Sequence, residues 1–140
     1  VIICDTGPLV AASIRRDTDY HRCTELFTGL HLANRPILVP SPIVAEVGYL
    51  LGRLGNAKIE AGFLRSVAEG AFISADLTNT DYNRMADLVE QYADFPLGTS
   101  DAAVIALAER LDIDEIATLD QRHFRAVRPR HVKAFTLLPE

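Results

Sequence analysis

Five short strand-like runs, most of them separated by helix-forming sequence, decide what this chain can fold into. They are Val1-Ile2-Ile3-Cys4, Pro36-Ile37-Leu38-Val39-Pro40, Ala71-Phe72-Ile73-Ser74-Ala75, Ile116-Ala117-Thr118-Leu119 and Lys133-Ala134-Phe135-Thr136-Leu137-Leu138. The first of them is apolar throughout and reads as a strand buried on both faces; the others read as further short strands. The stretches between them carry helix signals. Pro8 stands in the first turn after Asp5-Thr6-Gly7, and Ser41-Pro42 precedes Ile43, Val44, Val47, Leu50, Leu51 and Leu54. Gly55-Asn56 stops that helix, and a further one over about 57–69 closes at Gly70. Thr80 reads as the cap of an amphipathic helix carrying Tyr82, Met85, Leu88, Val89 and Tyr92. Strands alternating with helices predict an α/β sandwich around a central, mainly parallel sheet of about four to five strands. A length of 140 residues suits one domain over 1–140 with a core that needs no staples.

The densest apolar helix is announced by Pro96-Leu97-Gly98-Thr99-Ser100-Asp101, followed by Ala102 to Leu111. Thr99 and Ser100 are good N-cap residues, and Asp101 falls in the first turn of a helix that must be largely buried. A carboxylate there gains about 0.3–1 kcal/mol from the positive helix end. Three further acids stand at the ends of apolar elements. Asp5 closes the first strand, Asp120 closes the fourth, and Glu46 lies near the start of the second long helix. In a parallel sheet with right-handed crossovers, strand C-termini and the following helix starts share one rim, where ligands bind. All four acids are therefore expected at one edge.

Each acid also has a plainer explanation. Asp5 suits an Asp turn or a cap for the Pro8 helix, and Asp120 suits a strand end. Glu46 shares the stripe of Ile43, Val47 and Leu50, where an unpaired carboxylate is costly; it needs an arginine partner, an outward lean or a ligand. Together the four would repel strongly unless a cation sits among them. Oxygen ligands without His or thiolate support suit Mg²⁺ or Mn²⁺ rather than zinc. Thr6, Thr99 and Ser100 flank the central acids, where their hydroxyls either cap helices or orient a carboxylate. Asp94 is a weaker fifth acid. The serines lack an evident His partner, and the four histidines, His21, His31, His123 and His131, lie in polar stretches where most are expected to be solvated. An aspartyl-phosphate mechanism would want an acid two residues after Asp5, where the chain has Gly7.

Net charge is −5 with a pI near 5.3, so a general affinity for nucleic acid is excluded and any polyanion must be held locally. The one basic segment, Gln121 to Lys133, follows Asp120 directly and contains Arg122, Arg125 and Arg128. It either guides phosphates toward the acids or is a solvated loop. Cys4 and Cys23 lack metal-site spacing, so they read as core thiols in a reducing cytoplasm. No apolar run is long enough to span a bilayer, and the first residues lack the basic flank of a signal peptide.

Four segments, in order, resemble the PIN-domain proteins, and more narrowly the VapC family of toxin ribonucleases. They are Cys4 to Ala11, Pro42 to Val47, Tyr92 to Ala102 and Ile116 to Phe124. The resemblance implies a PIN-like three-layer α/β/α sandwich. It also implies a Mg²⁺- or Mn²⁺-dependent endoribonuclease for single-stranded RNA, neutralised by a VapB-like antitoxin and paired as a homodimer. Asp5, Glu46 and Asp101 match the family's central acidic triad and Asp120 its fourth acid, with metal contact placed most firmly on Asp5 and Asp101. The rival expectation is a PIN-like binding module with a silent site that acts only through its partner. Phe27, Leu30, Leu32, Tyr49, Leu50 and Leu54 exceed what a small sheet needs, so some are expected at a dimer face or an antitoxin groove.

Overall fold

The computed structural model describes all 140 residues. Its chain order is β1 (Ile2–Cys4), α1 (Thr6–Ser13), α2 (Tyr20–Leu32), β2 (Ile37–Pro40), α3 (Ser41–Leu54), α4 (Ala57–Ala68), β3 (Ile73–Ala75), α5 (Asn79–Gln91), α6 (Thr99–Leu111), β4 (Glu115–Ala117), α7 (Gln121–Ala126) and β5 (Thr136–Leu138). The five strands form one sheet in the order β3-β2-β1-β4-β5, and every pairing is parallel. Right-handed crossovers put α1–α4 on one face and α5–α7 on the other. The helix contacts agree: α1 packs on α2 and α3, α3 on α4, and α5 on α6. The expected α/β sandwich with a parallel sheet is thus the observed one.

Strand order sets the position of the site. From β1 the chain steps to β2 and β3 on one side, then crosses back to β4 on the other. The switch point lies between β1 and β4, and in open α/β sheets ligands bind beyond the C-terminal ends of the strands at such a point. Asp5 follows β1 there, and Thr118 to Asp120 follow β4.

The core explains the helix order. Ile2, Ile3 and Cys4 are fully buried, and so are Ile116 and Ala117 beside them. All residues from Ala102 to Ala108 are buried, so α6 is sandwiched between the sheet and α5 rather than lying on the surface. Small alanines let that helix approach closely. At the start of α1, a side chain on Gly7 would stand 3.3 Å from Leu119 Cβ, so only glycine lets α1 begin against the chain leaving β4 without a forced shift.

Several local expectations are corrected. The cap of α5 is Thr78, whose hydroxyl accepts from the Asp81 amide while Asp81 accepts from the Thr78 amide, so Thr80 is already helical. Pro40 rather than Ser41 is the N-cap of α3. The fourth strand stops at Ala117, which leaves Thr118 and Leu119 in the turn, and the fifth begins only at Thr136. The basic segment begins as the short helix α7 rather than as a loop. Phe27 and Leu30 belong to the core, whereas Leu32, Tyr49 and Leu54 are exposed.

Candidate active site

Asp5 is the buried centre of the cleft. It takes the N-cap position of α1, yet its side chain makes no capping bond, so the capping explanation fails. Its amide donates to Ala117 O at 2.9 Å, which ties it to the end of β4. Only 6% of the residue is exposed, and Oδ2 accepts a 3.0 Å hydrogen bond from the hydroxyl of Thr118, itself wholly buried. The same Thr118 oxygen accepts from the Asp120 amide at 3.2 Å. One threonine therefore fixes Asp5 and the start of α7 together. Burial pushes the Asp5 carboxyl up to about 6; the Thr6 amide and Thr118 hydroxyl oppose that rise, and the charges of Asp101 and Glu46 add to it.

Asp101 enters from the other face of the sheet. The N-cap of α6 is Gly98, so Thr99 and Ser100 are the first helical residues and not caps. Asp101 Oδ2 reaches back to the Gly98 amide at 3.4 Å, a long contact. Its acidity is also weakened, first by burial and then by Asp120 and Glu46, against the Gly98 amide and His123. The helix start alone does not explain a carboxylate in this state.

Glu46 is not buried in the apolar stripe of α3; it leans out into the cleft. No arginine meets it. Thr6 Oγ1 donates to Glu46 Oε2 at 2.7 Å, and Ser100 Oγ donates to the same oxygen at 2.9 Å. Thr6 and Ser100 thus orient a carboxylate, while Thr99 turns away to line a groove with Tyr82, Met85 and Val89.

Asp120 is the outermost acid, with 54% of its side chain exposed. Its carboxylate contacts His123 Nδ1, one turn along α7, and that nitrogen lies 3.9 Å from Asp101 Oδ2. His123 and Thr118 are the two cleft residues that the sequence reading missed. His123 lies in a polar stretch of the sequence, yet only 16% of its side chain is exposed. The available signal was its position three residues after Asp120 at the start of a helix. Asp94 is exposed and is not among the charges that perturb Asp5 or Asp101.

The cleft is anionic and has no arginine in it. The arginine–carboxylate pairs lie elsewhere: Arg22–Asp19, Arg35–Glu115, Arg84–Glu109 and Arg110–Asp81. No three His, Cys, Asp or Glu side chains converge tightly enough to ligate one ion as they stand. The carboxylates instead share one rim of the sheet, linked through Thr6, Ser100 and His123 and by their mutual charge. Their donor set, oxygen throughout apart from His123, fits a hard dication, and the weakened acidities of Asp5 and Asp101, caused first by burial and then by the neighbouring carboxylates, are what such an ion offsets.

Arg122 and Arg125 sit on the exposed side of α7, with Arg125 donating to Gln121 Oε1 at 2.9 Å. Arg128 follows, and with Arg125 and Lys133 it borders an open groove of about 640 Å³. None of the three arginines bonds to an acid of the cleft.

Residues 2–128 match the PIN domain family. The chain is 34% identical over 139 residues to Ribonuclease VapC26 of Mycobacterium tuberculosis, covering 99% of this chain and 100% of that protein. Among solved structures it is similar to VapC20 of Mycobacterium tuberculosis, described as a sarcin–ricin loop cleaving toxin. That likeness has a TM-score of 0.79 at 13% identity over 95% of this chain and 99% of the other. It is also similar to VapBC2 of Rickettsia felis bound to a promoter DNA fragment, with a TM-score of 0.68 at 14% identity over 97% of each chain. FitAcB of Neisseria gonorrhoeae follows at 0.62 and 19% identity, over 89% of this chain and 91% of that one. The structural likenesses establish the fold, and the identity to VapC26 narrows the family. The chain belongs to the PIN-domain family and is a homologue of the VapC ribonucleases.

Proposed function

We propose that this protein is a divalent-metal-dependent endoribonuclease acting on single-stranded RNA, the toxin half of a VapBC-type pair. The observation that carries the reading is Asp5: a buried carboxylate at the switch point, raised to about 6, facing Asp101 and Glu46 with no arginine to offset them. The named activity of VapC26 supports a ribonuclease. The complexes VapBC2 and FitAcB support an antitoxin partner of the VapB kind, and the same reading takes the protein as a homodimer. Exposed Leu32, Tyr49 and Leu54 supply apolar area for such partners.

In this reading Asp5 and Asp101, with Glu46 and Asp120 beside them, would hold Mg²⁺ or Mn²⁺. When bound, the ion lowers the pKa of water and offsets charge on the phosphate. Glu46, fixed by Thr6 and Ser100, orients the attacking water and takes its proton. Water oxygen bonds to phosphorus, the P–O3′ bond breaks, O3′ takes a proton from solvent, and the chain is left with 5′-phosphate and 3′-hydroxyl ends. Arg122, Arg125 and Arg128 hold flanking phosphates against the acidic net charge. The whole of 1–140 acts as one domain. Both cysteines are free and buried, and burial pushes the Cys4 thiol up and that of Cys23 to about 11, which makes them inert core thiols; the reading places the protein in the cytoplasm.

Cleavage of total RNA followed against added Mg²⁺ tests the reading. The wild-type protein should cut only with the ion present, and Asp5→Asn and Asp101→Asn should abolish cutting. Cleavage by both variants at the wild-type rate in Mg²⁺ would sink it.

A further inference from the structure

The turn between α5 and α6 carries an aromatic ring that the core does not use. Tyr92 O accepts from the amides of Phe95 and Leu97 at 3.0 and 3.4 Å, and Tyr92 Oη accepts from the Arg128 amide at 3.1 Å. These bonds pin the turn to the chain beyond α7. Leu97 enters the core, but Phe95 is neither one of its buried members nor packed against them. Its ring stands edge-on to His123, with centroids 5.3 Å apart and planes at 88°. His123 in turn lies 3.9 Å from Asp101. Above the Phe95 ring, the exposed Arg122 guanidinium sits 6.0 Å from the centroid, at the outer limit of cation–π attraction. That contact is weak enough to be exchanged for another flat partner.

We propose that Phe95 is the stacking platform for a nucleobase next to the scissile phosphate, with Arg122 passing from the ring to that nucleotide's phosphate. The inference rests on the ribonuclease reading and deepens it. Proteins that bind single strands combine cationic contacts to the backbone with aromatic rings under the bases, and such stacking tolerates any sequence. One histidine ring separates Phe95 from Asp101, so a base stacked there belongs to a nucleotide beside the reacting one. Bases locked in a duplex are not free to reach the ring. Phe95 thereby favours single-stranded RNA without choosing its sequence.

The test uses the intact chain with Ca²⁺ in place of Mg²⁺ and a single-stranded RNA dodecamer carrying 2-aminopurine, walked along the strand. In wild type, the fluorescence of one position should be quenched on binding. Phe95→Leu, apolar but without a π-face, should lose that quenching and bind at least about fivefold more weakly. Phe95→Trp should restore both, and neither variant should lower the unfolding midpoint, because Phe95 lies outside the core. Equal binding and quenching in Phe95→Leu, or no quenched position in a wild-type protein that binds, would overturn the platform alone. A wild-type protein that neither binds the dodecamer nor cuts total RNA in Mg²⁺ would overturn the ribonuclease reading and this inference with it.

Discussion

Thr6 and Ser100 donate to one and the same oxygen, Oε2 of Glu46, from opposite faces of the sheet. Thr6 starts α1 and Ser100 starts α6, so the clamp closes only when both layers are packed. Hydrogen bonds to a charged group contribute about 1.5–3 kcal/mol each. Thr6→Ala and Ser100→Ala should therefore each slow RNA cleavage by roughly tenfold or more, with a smaller second loss in the double variant because the first already frees the carboxylate. Fully additive losses in single-turnover rates would mean that the two hydroxyls act on different groups.

The four acids differ in burial, and that orders their variants. Asp5 is enclosed and Asp101 is half-buried, whereas Asp120 is mostly solvated and touches only His123. Asp120→Asn should cost about tenfold in cleavage rate, well short of the loss in Asp5→Asn or Asp101→Asn, since an exposed charge is screened by water. Rate measurements at saturating Mg²⁺ decide this. An Asp120→Asn protein as inactive as Asp5→Asn would move the outer acid into the centre of the reaction.

Asp5 should make the protein less stable as pH rises when divalent ions are removed. Its carboxyl titrates near 6 in the folded chain against an ordinary 3.8. Between those values the folded state holds more protons than the unfolded chain, so stability is full below the lower value and is lost through the higher one. The loss is about 3 kcal/mol at most, and Asp101, raised chiefly by its own burial, adds to the slope in the same direction. In EDTA, Asp5→Asn should be more stable than wild type at pH 7, and the advantage should vanish near pH 4. Parallel urea-unfolding curves for the two proteins across that range would contradict the account.

Much of this was legible in the chain, and the misses have physical causes. The uniformly apolar run at Ile2–Cys4 declared a strand covered on both faces and Ile37–Pro40 a further short one, and Asp5 and Asp120 then fell at one rim by topology alone. Glu46 was identified from its misfit with its helix, but its partners were not, because Thr6 and Ser100 approach from 40 and 54 residues away. Thr118 looked like ordinary strand sequence, and its role appears only when β1 and β4 are paired. His123 was hidden by the charges around it. A segment dense in arginine reads as solvated until the helix that turns one residue inward is seen.

At the other end of α6, Glu109 offers a control that separates stability from chemistry. Arg84 donates to it at 2.7 and 3.0 Å and the Arg130 amide at 2.9 Å, with both side chains of the pair nearly covered. Burial alone would raise its carboxyl, but these donors outweigh burial and leave it below 4.5. The stability it supplies is present above its unfolded pKa and is lost as pH falls through the folded one. Glu109→Gln should cost about 2 kcal/mol at neutral pH and progressively less as the pH falls below 4.5, with unchanged cleavage per folded molecule. A loss of cleavage in a fully folded variant would tie this ion pair to the cleft.

Arg122, Arg125 and Arg128 provide the last discrimination, between a substrate path and a solvated face. All three are exposed, and their charges are not spent on the acids of the cleft. Each phosphate neutralised on a single strand contributes about −0.7 to the slope of log K against log salt. Changing the three to glutamine should flatten that slope by about 2 and weaken binding at low salt, without altering the Mg²⁺ dependence of cleavage. Phe95→Leu should leave the slope intact, because stacking releases no counterions. If the triple variant binds RNA as wild type does from low to high salt, α7 and the segment after it lie off the path of the strand.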